Sequence, residues 1–185
     1  MSRLPLLTPE SAPSASRPFL ENALARNGFI PNLLGVLAHA PSALETYLTV
    51  SEINGRSSFS LAERETVQLT AAALHGCNFC MAGHTAIAYK QGKLDSELVE
   101  ALRAQAPLPD AKLDALARFT RAVIHQRGAV SESALQDFLA SGYQFQQVIE
   151  VILGVSLATL CNFANSLAQT ELNPELAAYR WQAPA

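Results

Sequence analysis

The chain is expected to fold as an all-α protein, on three observations. Apolar residues recur at helical spacing along most of it. No stretch alternates with period two for long enough to make a strand. Gly, Pro and capping residues divide the pattern into pieces of helical length. At 185 residues the chain fits one domain with a substantial core. Residues 1–17, rich in Pro and Ser, read as an extended N-terminal arm, and residues 18–185 as a single helical domain.

The helices follow in order. Pro18–Asn27 reads as a short amphipathic helix closed by Asn27-Gly28. Leu33–His39 and Ser42–Asn54 come next, separated by Pro41, with Gly55 as a stop signal. Ser60-Leu61-Ala62-Glu63 is a capping box, in which serine and glutamate side chains satisfy free backbone N–H groups at the helix start. A helix should therefore run from Leu61 to about His75. The next one carries two cysteines and ends near Gln91-Gly92. Asp95 is expected to cap a helix to about Ala104, and Pro107-Leu108-Pro109 breaks the chain. Asp110 starts a longer helix whose apolar side holds Leu113, Leu116, Ala117, Phe119, Val123 and Ile124, up to Gly128. Ser131 opens another that stops at Ser141-Gly142. The last, Phe145 to about Leu172, is apolar nearly all round between Val148 and Leu160, a pattern that predicts burial.

Composition excludes several classes. The net charge of −3 and the lack of a basic cluster argue against nucleic-acid binding. The N-terminus has no apolar signal-peptide core, and the stretch Val151–Cys161 is short for a bilayer and interrupted by Gly154, Ser156 and Thr159. These features predict a cytoplasmic protein with no membrane partner. Only 16% of residues are charged, which suggests surface hidden in a homo-oligomer. Three cysteines, two of them three residues apart, do not make a secreted disulfide scaffold; such a pair is catalytic or metal-binding in a reducing compartment.

Cys77, Cys80 and His84 form Cys-x-x-Cys-x-x-x-His. If Cys77 opens a helix after Gly76, the three side chains fall within roughly a 60° sector of it. A thiol in the first helical turn faces free N–H groups and the positive end of the dipole, which favour thiolate. The spacing also suits an intrachain disulfide. Glu65 joins by geometry: it stands eleven residues before Gly76, and His84 eight after. In an antiparallel hairpin about Gly76 their axial levels differ by about 4–5 Å. Glu65 is thus the candidate to orient His84, while Glu63 faces outward as the cap. His75 complements a helix end, and His39 and His125 read as structural. Zinc is the rival chemistry for the motif, but all three ligands lie on one helix and no second Cys/His pair completes a tetrahedron. No metal or other cofactor is expected.

A weak echo remains. Cys77-Asn78-Phe79 recurs as Cys161-Asn162-Phe163. An internally duplicated helical hairpin with one competent copy would produce it, and so would coincidence in an Ala- and Leu-rich chain. Cys161 is read as a buried structural thiol.

Glu65, Cys77, Cys80 and His84 together resemble the core signature of the alkyl hydroperoxidase D (AhpD)-like branch of the carboxymuconolactone decarboxylase family. The signature is a glutamate twelve residues before the first cysteine, then Cys-x-x-Cys-x-x-x-His, and it is matched at all four positions. The resemblance is strongest over residues 40–92. It implies an AhpD-like helical bundle with a central hairpin carrying the cysteines, and a thiol peroxidase activity. By the family's mechanism Cys80 attacks the peroxide, Cys77 resolves the sulfenic acid to a disulfide, and Glu65 and His84 relay the proton. An external dithiol reduces the disulfide, and family members are commonly trimers or hexamers. The chain departs from the best-studied members at Phe79, where they carry a second histidine. Two alternatives use the same residues: a decarboxylase-like lyase with His84 and Glu65 as acid and base, and a redox sensor or binding module without turnover.

Overall fold

Helix boundaries follow the need of free helix ends for hydrogen-bond partners. In the computed structural model, which describes residues 2–183, the described residues form α1 (Arg17–Asn27), α2 (Asn32–Leu37), α3 (Pro41–Gly55), α4 (Leu61–Leu74) and α5 (Asn78–Lys90). They continue with α6 (Ser96–Ala104), α7 (Ala111–His125), α8 (Glu132–Ala140) and α9 (Phe145–Ala168), then a 3₁₀ turn over Pro174–Tyr179. The fold is all-α, with no strand among the described residues. The Ser60–Glu63 capping box opens α4. Asp110 caps α7 by accepting from the Lys112 and Leu113 N–H groups at 2.8 and 2.9 Å. Asp95 stands at the N-cap of α6, yet its side chain makes no capping hydrogen bond.

Helix α4 is the centre of the bundle and packs against α5, α6, α7 and α9. Its run Glu65–Ala73 is buried throughout. Three consecutive alanines, Ala71 to Ala73, let neighbouring helices approach on several sides. On one side Leu20, Leu44, Leu69, Met81, Val99 and Leu102 form the larger apolar cluster. On the other, Phe119, Phe138 and Tyr143 stack with ring centroids 4.3 and 4.4 Å apart, beside Val67, Leu116 and Val151. Residues near the N-terminus lie along this frame: the Leu7 N–H donates to Gly35 O at 3.2 Å, and His39 Nε2 donates to Pro5 O at 2.8 Å. The C-terminal segment is tied down by Arg103, which donates to Thr85 Oγ1, Tyr179 O and Arg180 O, and by Trp181 Nε1, which donates to Arg103 O.

Helix α9 differs from expectation in two ways. Its apolar content predicted burial, but Phe145, Ile149, Ile152, Phe163 and Leu167 are exposed along one stripe. The bundle supplies neighbours (α2, α3, α4, α5 and α7) on one flank only. The helix also stops at Ala168, because Gln169 adopts a left-handed backbone (φ 50°) and the Thr170 N–H turns back to Asn165 O at 3.0 Å. By length and composition alone α9 could cross a membrane, with a mean hydropathy of 1.6. It is nonetheless a bundle helix whose inner face buries two amides, Asn162 and Asn165. The sequence echo also ends at the backbone. The turn at His75–Cys77 corresponds to Thr159–Cys161, which lies within uninterrupted α9.

Gly154 sets the α4–α9 distance. A Cβ there would stand 2.9 Å from Val67 Cγ1, and Gln68 Nε2 donates to Gly154 O at 3.0 Å. Replacing Gly154 with Leu should therefore separate the two helices. Equilibrium urea unfolding is expected to show a loss of at least about 1–3 kcal/mol, the usual range for overpacking. An unchanged midpoint would contradict close packing at this point.

Candidate active site

The α4–α5 hairpin builds the site from local chemistry. α4 ends at Leu74, and Gly76 then takes a left-handed conformation (φ +65°) that a side chain would strain. The Cys77 N–H reaches back to Ala72 O at 2.9 Å, closing α4. Cys77 itself becomes the N-cap of α5, and its Sγ accepts the Cys80 N–H at 3.3 Å. One chain reversal therefore terminates one helix and places a sulfur at the start of the next.

Across this hairpin Glu65 Oε2 and His84 Nδ1 are 2.8 Å apart. The Glu65 side chain is only 6% exposed and that of His84 26%. Glu63 faces away in its capping box, 3.7 Å from Lys112 Nζ. His75 donates from Nδ1 to Asn162 Oδ1 at 3.0 Å and lies against the Phe163 ring, so it serves the α4–α9 junction. Phe79 is buried at the cleft beside Cys77, while Met81 is wholly buried in the core. Among the described residues, no group of three or more His, Cys, Asp or Glu is arranged to hold a metal ion.

Two residues of the site have no place in the sequence motif. Asn165 of α9 is buried and donates from Nδ2 to Cys80 Sγ at 3.3 Å. Tyr47 of α3 contacts the Cys161 thiol. Asn165 left a signal, since Asn162 and Asn165 lie on the inner side of an apolar helix where buried amides need partners. Tyr47 left none, because one tyrosine on α3 resembles any packing residue.

Electrostatics separates the two motif thiols. The hydrogen bond that the Cys80 thiol gives to Cys77 lowers the Cys77 pKa most. Burial opposes this, while the Cys80 N–H, the His84 charge and the Phe79 N–H add to it, and the net shift is downward. Cys80 moves well upward, through that same hydrogen bond, burial and the neighbouring charges on Cys77 and Cys161, against a smaller lowering by Asn165. Burial pushes the Cys161 thiol up to about 12. Burial also raises Tyr47 well above the ordinary tyrosine value, with the charges on Cys161 and Cys80 adding to it. For His84, burial disfavours the cation, but the Glu65 charge and hydrogen bond, with Cys77, outweigh it and raise the pKa.

Two cavities flank the site. One of about 700 Å³ is lined by Tyr47, Arg64, Glu65, Gln68, His84 and Leu157 among others. A second, about 390 Å³, lies between the start of α5 and the end of α9 and is lined by Cys77, Asn78, Phe79, Asn165 and Thr170 among others. Chemically the arrangement offers a thiol whose ionisation is favoured, a second thiol three residues on and a carboxylate-held imidazole within one hairpin.

Substituting Glu65 with Gln removes the charge that offsets burial of His84. The His84 pKa, followed by NMR titration of its ring protons, should then fall from above the ordinary value of about 6.5 to below it. A value unmoved by the substitution would mean that Glu65 does not set the charge on His84.

Residues 41–122 match the model of the carboxymuconolactone decarboxylase family. No curated protein sequence matches the chain. Among solved structures, the chain is similar to an alkylhydroperoxidase AhpD core, an uncharacterized peroxidase-related protein from Ralstonia eutropha JMP134. The two share 19% identity and a TM-score of 0.83, over 95% of this chain and 94% of that one. It is also similar to an uncharacterized peroxidase-related protein from Silicibacter sp. TM1040, at 20% identity and a TM-score of 0.80, over 95% and 93% of the two chains. The debrominase Bmp8, solved in complex with 2,3,4-tribromopyrrole, aligns at 15% identity and a TM-score of 0.76 over 97% of both chains. The family match takes in the helices that carry Glu65, Cys77, Cys80 and His84, and the solved structures share the all-α fold over nearly the whole chain.

Proposed function

We propose that the chain is a thiol peroxidase that reduces alkyl hydroperoxides through a Cys77–Cys80 sulfenic acid and disulfide cycle. The observation that carries this reading is the pair of thiols at the start of α5, Cys77 Sγ accepting the Cys80 N–H, beside the Glu65–His84 hydrogen bond. One thiolate attacks the terminal oxygen of the peroxide, the O–O bond breaks, and the sulfur becomes a sulfenic acid. The departing alkoxide takes a proton supplied through His84 and leaves as an alcohol. The second thiol then displaces water from the sulfenic acid to form the disulfide, and an external dithiol restores both thiols. Peroxide gains two electrons and the cysteine pair loses two. Glu65 holds His84 in the orientation and charge state for proton transfer.

The exposed apolar stripe of α9 supports the accompanying proposal that the chain works as a homo-oligomer, a trimer or hexamer. The low share of charged residues points the same way.

One equivalent of alkyl hydroperoxide should reduce the titratable thiols from three to one, and peptide mass mapping should find the bridge between Cys77 and Cys80. Retention of all three thiols would overturn the peroxidase reading. With a dithiol reductant supplied, turnover should be continuous; disulfide formation without it would identify a sensor. Replacing Glu65 with Gln should lower kcat by about 10²–10⁴-fold, the usual worth of general acid–base assistance. Replacing Cys80 with Ser should abolish turnover, whereas a lyase using His84 and Glu65 would survive it.

A further inference from the structure

The larger cavity beside the site, about 700 Å³, is where the Glu65–His84 pair meets open space, since both residues line it. Cys80 precedes His84 by one turn on the same face of α5, so a group held against His84 lies within a turn of that sulfur. The volume falls in the range of small-molecule sites, which are largely apolar with a few placed polar groups. Leu48, Leu61, Ile87 and Leu157 supply an apolar wall against which an aliphatic chain would shed its water.

One charge in this wall has no ionic partner among the described residues. Arg64 lies on the cavity face of α4, three residues after Leu61 and one turn before Gln68, which line the same space. It is half-buried, and its Nη1 donates to Phe59 O. The neighbouring carboxylates are engaged elsewhere: Glu63 with Ser60 and Lys112, Glu65 with His84. The exposed Arg26 adds a positive charge at the rim, and the exposed Glu52 a negative one. Water screens rim charges, whereas a half-buried guanidinium with N–H groups to spare is a planar fork matched to a carboxylate. Arg64 stands twelve residues before Gly76 and Cys80 four after. Across the antiparallel hairpin their axial levels therefore differ by about 12 Å, the span of an acyl chain.

We propose that this cavity is the substrate site, and that the substrate is an aliphatic hydroperoxide bearing a carboxylate, as in a fatty-acid hydroperoxide. Arg64 holds the carboxylate, the apolar wall covers the chain, and the hydroperoxide lies against His84 within reach of Cys80. This assignment rests on the peroxidase reading and names its substrate class. The carboxylate takes no part in the redox step. The hydroperoxide becomes the corresponding hydroxy acid and water, and the thiol pair supplies two electrons and two protons as it closes to the disulfide.

The test has two arms on the full-length reduced protein. The first compares turnover of linoleic acid hydroperoxide and of its methyl ester, with a dithiol reductant supplied. The acid is expected to be preferred in kcat/KM by at least about tenfold, the worth of a charge-assisted hydrogen bond. Arg64→Met should bring that preference to near one, chiefly by raising KM for the acid. Equal turnover of acid and ester by the unmodified protein overturns carboxylate recognition but leaves the peroxidase reading standing. The second arm measures binding apart from turnover, by calorimetric titration with decanoate and with decanol, an uncharged chain of the same length. Decanoate is expected to bind once per chain, at least about tenfold more tightly than decanol, and to shift the His84 ring protons in NMR spectra. Equal affinities, or no binding of decanoate, overturn the proposal. Binding of decanoate that Arg64→Met weakens, without reduction of either hydroperoxide, overturns the peroxidase reading and leaves Arg64 as a carboxylate site.

Discussion

The contact on which the site depends is the 2.8 Å hydrogen bond between Glu65 and His84. A carboxylate this deep in a bundle is tolerated only where a donor satisfies it, since an unpaired buried charge costs several kcal/mol. The pairing requires that α4 and α5 run antiparallel with one register, because only then do positions 65 and 84 reach the same level. Gly76 makes the reversal tight enough for that register, and the reversal places Cys77 at the N-cap of α5. A single interaction between two helices thus ties the charge on an imidazole to the position of a sulfur.

Helix α9 supplies what the hairpin lacks. It brings Asn165 to the second sulfur and Cys161 close behind it. That approach depends on Gly154, which lets α9 lie against Val67, two residues from Glu65. Packing and the site are coupled here, because the same stretch of α4 holds the core contact and the carboxylate that pairs with His84. The asymmetry between the two thiols also comes from this arrangement. One faces a polar cleft at a helix start, and the other faces an amide and a third thiol in the interior.

The hairpin could be read from the residues because its determinants are local. The Ser60–Glu63 box fixes one helix start, Gly76 fixes the turn, and a constant helical rise then brings Glu65 and His84 together. Asn165 and Tyr47 could not be placed that way, since they reach the site through the packing of α9 and α3, set by contacts distant in sequence. The burial of α9 was misjudged for a related reason. Its composition reports how apolar the helix is, whereas burial depends on how many neighbours the bundle supplies, and one chain supplies them on one flank. The resemblance of Cys77-Asn78-Phe79 to Cys161-Asn162-Phe163 carried no structural weight, because one copy follows a turn and the other lies inside a helix.

The central claim is that the Glu65–His84 pair and the α5 N-terminus hold one of three thiols as a thiolate. Thiolate absorbs near 240 nm, so a pH titration of that band in the native protein and in the Glu65→Gln variant tests the claim directly. The expected result is one thiolate per chain appearing below the ordinary cysteine value of about 8.5, with its midpoint moving upward in the variant. Three thiols titrating together at or above that value, unaffected by the substitution, would contradict it.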